Sequence, residues 1–373
     1  MPTYFQREKL NPSIDKSIDA LINHELAFSL FKQVADTPGP SQSVSYTRGR
    51  TIEQILNKHL PHSRQFSFQS DYQGTGNIAV LLGDTPHALF FAHADEISYL
   101  LGAEPEGTEI KLTPFCSHRS KDGHPVISLR YALQEQNLKR AASGSIISRI
   151  ETDQLVPYLL LKEGKVEVGD RIIFDYPAVI DEHNLVYGKV DNAAGVTACL
   201  LAIIALGQLE SMTSIWFVFP DEEEGPPMGN SMFARGARRL VQRLNLPSDV
   251  LCVVVDGHNV EPGKGPSTSA LFRENESLCQ GAIVPPSLYA EFKDFANHLR
   301  DLGIDISENS RRVSRSDSPA LMEYFRNILL LGYHVKDAHF DDGPPCTSLD
   351  AIISVAKTIV WMVLALDIGK VAI

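Results

Sequence analysis

The chain has 373 residues, 43% of them hydrophobic and 21% charged, with a formal net charge of −12 at pH 7. That length supports a large buried core and points to two domains, and the ordinary fractions point to a soluble globular protein. The acidic balance argues against nucleic acid or an anionic membrane as a partner, because either calls for a basic face.

In chain order, residues 1–19 are polar and charged and lack the apolar core of a signal peptide. Residues 17–35 place Ile18, Leu21, Ile22, Leu26, Leu30, Phe31 and Val34 near helical spacing, which predicts an opening helix. It ends in the breaker run Thr37-Pro38-Gly39-Pro40-Ser41. Residues 52–60 read as a second helix, and 76–82 and 88–92 as strands of a central sheet. From 102 to 177 the character changes: short β-like runs at 126–131, 145–150 and 171–174 alternate with glycine and charge, as in a small all-β module. After Val190, helices at 193–209, 231–243, 288–302 and 349–368 alternate with strands at 214–219, 250–255 and 327–331. The fold class is therefore α/β: a catalytic domain with a mixed central sheet flanked by helices (1–101 and 178–373), interrupted by a smaller β-barrel-like domain (102–177). The apolar stretch 358–365 is too short to span a bilayer. Cys116, Cys199, Cys252, Cys279 and Cys346 form no CxxC pair and are odd in number, which suits a reducing compartment and leads us to expect a cytoplasmic protein.

Acids and histidines stand at the ends of the apolar runs. His93, Asp95 and Glu96 follow Leu89-Phe90-Phe91-Ala92; Asp191-Asn192 follows Gly188-Lys189-Val190; Asp221-Glu222-Glu223-Glu224 follows the strand 215–219; Asp256 follows Val253-Val254-Val255; and His339 comes after Ile328-Leu329-Leu330-Leu331. Unpaired charge beside buried strands is costly, so these groups point to divalent metal, with two ions sharing one carboxylate. Alternation in an extended chain puts His93 and Asp95 on one side, where Asp95 can fix the imidazole tautomer. Taken singly, His93 and Asp95 also read as a solvent-facing strand end, and Asp191 as a helix cap. In the glutamate run, one carboxylate would bind metal while its neighbour stays free as general base. His334, Asp337, His339, Asp341, Asp342 and Cys346 share one turn-rich loop, and local logic does not choose among them.

Together these pieces resemble the M42 metallo-aminopeptidases, in the zinc-peptidase clan that also holds M18, M20 and M28. The motifs that carry the resemblance are His93-Ala94-Asp95-Glu96-Ile97, Gly188-Lys189-Val190-Asp191-Asn192 (one residue shorter than the family's segment), Glu222-Glu223-Glu224-Gly225, and Val168-Gly169-Asp170-Arg171-Ile172-Ile173-Phe174. A β domain between the first histidine and the bridging aspartate is the M42 and M18 arrangement. The resemblance implies one metal on His93, Asp191 and Asp256 and a second on Asp191, Glu223 and His339, with Glu222 as base and Asp95 supporting His93. It also implies a cis Asp191–Asn192 bond, short peptide substrates trimmed from the amino terminus, and a large homo-oligomer. An alternative alignment of residues 343–348 puts Cys346 in place of His339. A mixed oxygen and imidazole site takes zinc, cobalt or manganese. A carboxypeptidase or deacylase of the same clan, or a non-catalytic relative with the same fold, are the competing readings.

Overall fold

The structure, a computed structural model, describes residues 4–6, 12–60, 66–105, 107–116, 118–209, 211, 213–225, 234–259, 270–273, 284–304, 306–309 and 316–366. Cys279, the start of the helix expected at 231–243 and the last residues of the one expected at 349–368 lie outside them, as does the side chain of His258.

An eight-stranded sheet forms the centre, in the order Ser67–Gln69, Ile78–Leu82, Ile215–Phe219, Ala88–Phe91, Leu251–Asn259, Asn327–Val335, Ala270–Arg273, Ile306–Asn309. The four strands from Ile215–Phe219 to Asn327–Val335 are mutually parallel, and their outer neighbours, Ile78–Leu82 on one side and Ala270–Arg273 on the other, run antiparallel to them. The parallel strands are apolar along most of their length, as strands covered on both faces are, and turn polar toward their carboxyl ends at Asp256 and His334. In an open α/β sheet the carboxyl ends of such strands form the crevice where chemistry collects. Register brings the expected residues level: Phe91 pairs with Val254, so His93 and Asp256, each two residues further on, emerge side by side.

Helix Val190–Gln208 is long and apolar enough to cross a membrane by length and composition, but 94% of its most apolar window is buried. An all-round apolar helix of that kind is a core helix here; it packs against His24–Asp36, Leu349–Ala365 and the sheet. The opening helix is two, Pro12–Leu21 and His24–Asp36, because Asn23 takes an extended backbone and accepts a hydrogen bond from Leu26 N as an N-cap.

A second, seven-stranded antiparallel sheet, Glu109–Lys111, Gln154–Gly164, Asn137–Glu151, Pro125–Ala132, Arg171–Phe174, Ser98–Leu100 and Thr113–Pro114, curls into a nearly closed barrel around its own core. It takes in Ser98–Leu100, a strand not expected from the sequence, which pairs with Arg171–Phe174. Arg171 ties the units together: buried over the Phe115 ring, it donates to the Ser41 carbonyl and the Ser98 hydroxyl.

Candidate active site

The loop after Ala88–Phe91 is held by buried polar groups. Glu96 accepts from Gly39 N at 2.6 Å and lies 3.3 Å from Arg48 Nη2 and 3.4 Å from Lys189 Nζ, all nearly solvent-free. Arg48 Nη1 also donates to the Ala94 carbonyl. This network fixes the turn that carries His93 and the chain that leads into Asp191.

Asp95 holds two segments at once. Its Oδ2 accepts from Ser41 Oγ at 2.6 Å, its Oδ1 accepts from Glu223 N at 3.0 Å, and His93 Nδ1 is 3.4 Å from Oδ1. The same carboxylate thus orients the imidazole and the acidic turn. That turn is also held from outside: Asp221 accepts from Gln42 N and Glu222 N, and Gly236 approaches so closely that a Cβ there would stand 1.9 Å from the Asp221 carbonyl oxygen.

Asp191 opens helix Val190–Gln208 after a cis bond to Asn192. Asn192 donates to the Val255 carbonyl and accepts from Tyr333 Oη and Gly195 N, pinning the helix start to the strand that bears Asp256.

These elements bring His93, Asp191 and Asp256 into one group, and Asp191, Glu224 and His339 into another, with ligand atoms in each within 4.8 Å of one another. His93 Nε2 is 3.2 Å from Asp191 Oδ1 and 3.8 Å from Asp256 Oδ1, and His339 Nε2 is 3.7 Å from Asp191 Oδ2. Donors held 2.0–2.2 Å from a tetrahedral ion sit roughly 3.3–3.6 Å apart, so these spacings suit a shared cation. Asp191 presents one oxygen to each group. Glu224 Oε1 is buried with no hydrogen-bond partner among the described residues, which is the state of a donor awaiting an ion.

The electrostatics agree with that fit. Burial alone would lower the His93 pKa, but Glu223, Asp191, Asp256 and Asp95 carry it well above its ordinary value. Burial, and then neighbouring carboxylates, push Asp191 and Glu224 up; burial also pushes Glu223 up, against the opposing pull of His93. Carboxylates outnumber cations here, and divalent metal is the natural counter-charge.

The glutamate run is placed one residue differently from the expectation. Glu222 takes a left-handed backbone, φ 57°, which turns its side chain away from the histidines toward Arg235 and Arg239. Glu223 instead comes within 3.9 Å of His93 Nε2, and Glu224 joins Asp191 and His339. Cys346 belongs to neither group; its strand, Cys346–Ser348, pairs with Leu185–Tyr187. Sequence reasoning overlooked Asp317, which is fully buried with neither oxygen hydrogen-bonded among the described residues. The only signal for it was the polar run before helix Ser318–Leu321.

No family model matches the chain, and no curated protein sequence matches it. Solved structures do. The TET1 peptidase of Pyrococcus horikoshii superposes with a TM-score of 0.67 at 18% identity, over 92% of this chain and all (100%) of that one. A TET aminopeptidase from a marine sediment archaeon of the Thaumarchaeota gives 0.71 at 13% identity, over 92% and 97%. A protein described as an endoglucanase, from Thermotoga maritima, gives 0.61 at 14%, over 89% and 96%.

Proposed function

We propose that this chain, which has the fold of the M42-type TET aminopeptidases, is a two-metal aminopeptidase acting on short peptides. The observation that carries the proposal is Asp191, whose Oδ1 faces His93 and whose Oδ2 faces His339. A carboxylate so placed would serve both donor groups at once. His93, Asp191 and Asp256 would hold one; Asp191, Glu224 and His339 would hold the other, with zinc, cobalt or manganese suited to such donors. Bound there, the ions supply Lewis acidity that polarises the scissile carbonyl and acidifies water.

The chain's own groups do the rest. Glu223 is buried beside His93 and, among the described residues, not committed to an arginine, so it takes the general-base role: it accepts the proton of the attacking water and returns it to the leaving amine. Burial raises its pKa above the ordinary carboxylate value, and His93 opposes the rise. Asp95 keeps His93 in register and braces the turn that aims Glu223 and Glu224.

A glycoside hydrolase needs only a pair of carboxylates flanking the scissile bond. That reading leaves the histidines and the shared Asp191 without a role. Self-assembly is part of the proposal, since P. horikoshii TET1 assembles into a tetrahedron or a large octahedral shell. The cross-strand pair Ile150 and Leu155, at 80% and 46% exposure on a hairpin end of the insertion, offers apolar surface for a second copy. We place the protein in the cytoplasm, consistent with the free buried thiols of Cys116, Cys199, Cys252 and Cys346.

The test is reconstitution. Protein stripped by a chelator should lose hydrolysis of unblocked aminoacyl amides and regain it when about two equivalents of Zn²⁺, Co²⁺ or Mn²⁺ are added. Full activity in the stripped protein would refute the proposal.

A further inference from the structure

The residue after His339 belongs to the wrong core. Phe340 sits in a loop of the catalytic domain, yet it is 4% exposed within the hydrophobic cluster of the insertion, alongside Tyr99, Ile146 and Phe174. Its ring stacks on Phe174 at 3.8 Å between centroids and 18° between planes, lies over Tyr176 at 5.5 Å, and meets the His124 ring edge-on at 6.1 Å. His124 is in turn fixed by a 2.7 Å hydrogen bond between Nδ1 and Tyr176 Oη.

Backbone contacts repeat the connection. Ser120 Oγ donates to the His339 carbonyl at 3.2 Å, and Lys121 N approaches the Asp341 carbonyl at 3.4 Å. Arg119 faces Asp341, and Lys121 pairs with Asp342. Within the loop, Asp337 and Phe340 both have left-handed backbones, φ 55° and 58°, and Phe340 N closes a turn onto the Asp337 carbonyl. At its base, Lys336 and Cys346 exchange two backbone hydrogen bonds. The base of the loop is thus tied to its own domain by this pairing, His339 faces Asp191, and the tip is seated in the insertion.

We propose that Phe340 is a positioning residue: by plugging into the insertion, it aims His339 at Asp191 and Glu224, so that the β domain sets the affinity of the second metal position without supplying a ligand. This rests on the two-ion reading given above. Two left-handed residues leave the loop without a regular scaffold of its own, and an imidazole on such a loop needs an anchor to be held within ligand distance. A large buried aromatic ring next in sequence is that anchor. The surface ion pairs of Arg119 and Lys121 add little, being solvent-screened. The first position, made by His93, Asp191 and Asp256, is built on strand and helix ends and shares the Asp191 carboxylate with the loop's His339.

The experiment titrates metal-free full-length protein with Zn²⁺ against a competing chelator, resolving the two affinities. Phe340→Ala, Phe340→Leu and Ser120→Ala are compared with the unaltered chain. Phe340→Ala should weaken the second position by about 10–100-fold while leaving the first unchanged, since losing the support of a ligand has effects of that size. Phe340→Leu, which keeps an apolar occupant, should recover most of the loss, and Ser120→Ala should give a smaller loss confined to the same position. If Phe340→Ala does not fold, the other two variants carry the test. Folded variants with both affinities unchanged, or with both reduced alike, would overturn the positioning role. An unaltered chain that binds fewer than two ions would instead overturn the two-ion reading.

Discussion

Glu222 Oε1 lies 2.7 Å from Arg239 Nη2, so the first glutamate of the acidic run is bound to an arginine and turned away from the histidines. Arg235 reaches its other oxygen at 3.1 Å. A carboxylate committed to two guanidinium groups is a poor general base, and among the described residues Glu223 has no such partner. We predict that Glu223→Gln retains both ions while kcat falls by about 10²–10⁴-fold, the usual worth of a positioned base. Glu222→Gln should keep kcat within a few-fold and cost about 1–3 kcal/mol of stability through its weakened arginine contacts. Metal content and kcat of the two purified variants decide it; an inactive Glu222→Gln beside an active Glu223→Gln would return the base role to Glu222.

The second prediction separates His339 from Cys346. His339 Nε2 is 3.7 Å from Asp191 Oδ2, whereas Cys346 is buried in a strand whose backbone pairs with Tyr187 and Lys336. His339→Ala should therefore retain about one ion per chain, and Cys346→Ser should retain two. Elemental analysis after dialysis reads the ratio, and the reverse pattern would make the site a thiolate variant.

A third prediction concerns Asp317. Burial pushes its pKa up to about 8; Asp95 and Asp256 add to the rise, and His93 opposes it. The unfolded carboxyl titrates near 3.9, so between those values the folded, metal-free chain holds a proton that the unfolded chain has lost. Stability from this group is therefore full below pH 4 and falls as pH rises toward 8. Asp317→Asn carries no ionisable group, so it should gain stability relative to the unaltered protein as pH is raised from 5 to 8. Thermal unfolding of both proteins in chelator at the two pH values measures this; a difference that stays flat would mean that Asp317 is paired in solution.

How much was legible in the sequence follows from what kind of signal each residue leaves. His93 and Asp256 follow apolar strands, and parallel register places strand ends at one edge, so pattern alone brought them together. Asp191 and His339 needed the resemblance as well, since a helix cap or a loop histidine looks the same locally. The proposed glutamate roles stand one residue from those the resemblance implies, because four consecutive acids carry no mark of which one takes a positive φ; that choice is made by Asp221, Asp95 and Gly236, which pack around the turn. The helix expected at 17–35 rested on apolar spacing alone, which runs across Asn23 and so does not show the cap that splits it. In the insertion, strand Asn137–Glu151 outran the run expected at 145–150 because the exposed Lys139, Arg140 and Arg149 interrupt its apolar pattern at both ends.

The most direct test of the account is hydrolysis, by zinc-loaded protein, of a short peptide with a free amino terminus beside its N-acetylated twin. The account predicts that single residues are released in order from the free peptide and that the acetylated one is left intact. Cleavage of both at similar rates, or release from the carboxyl end, would contradict it.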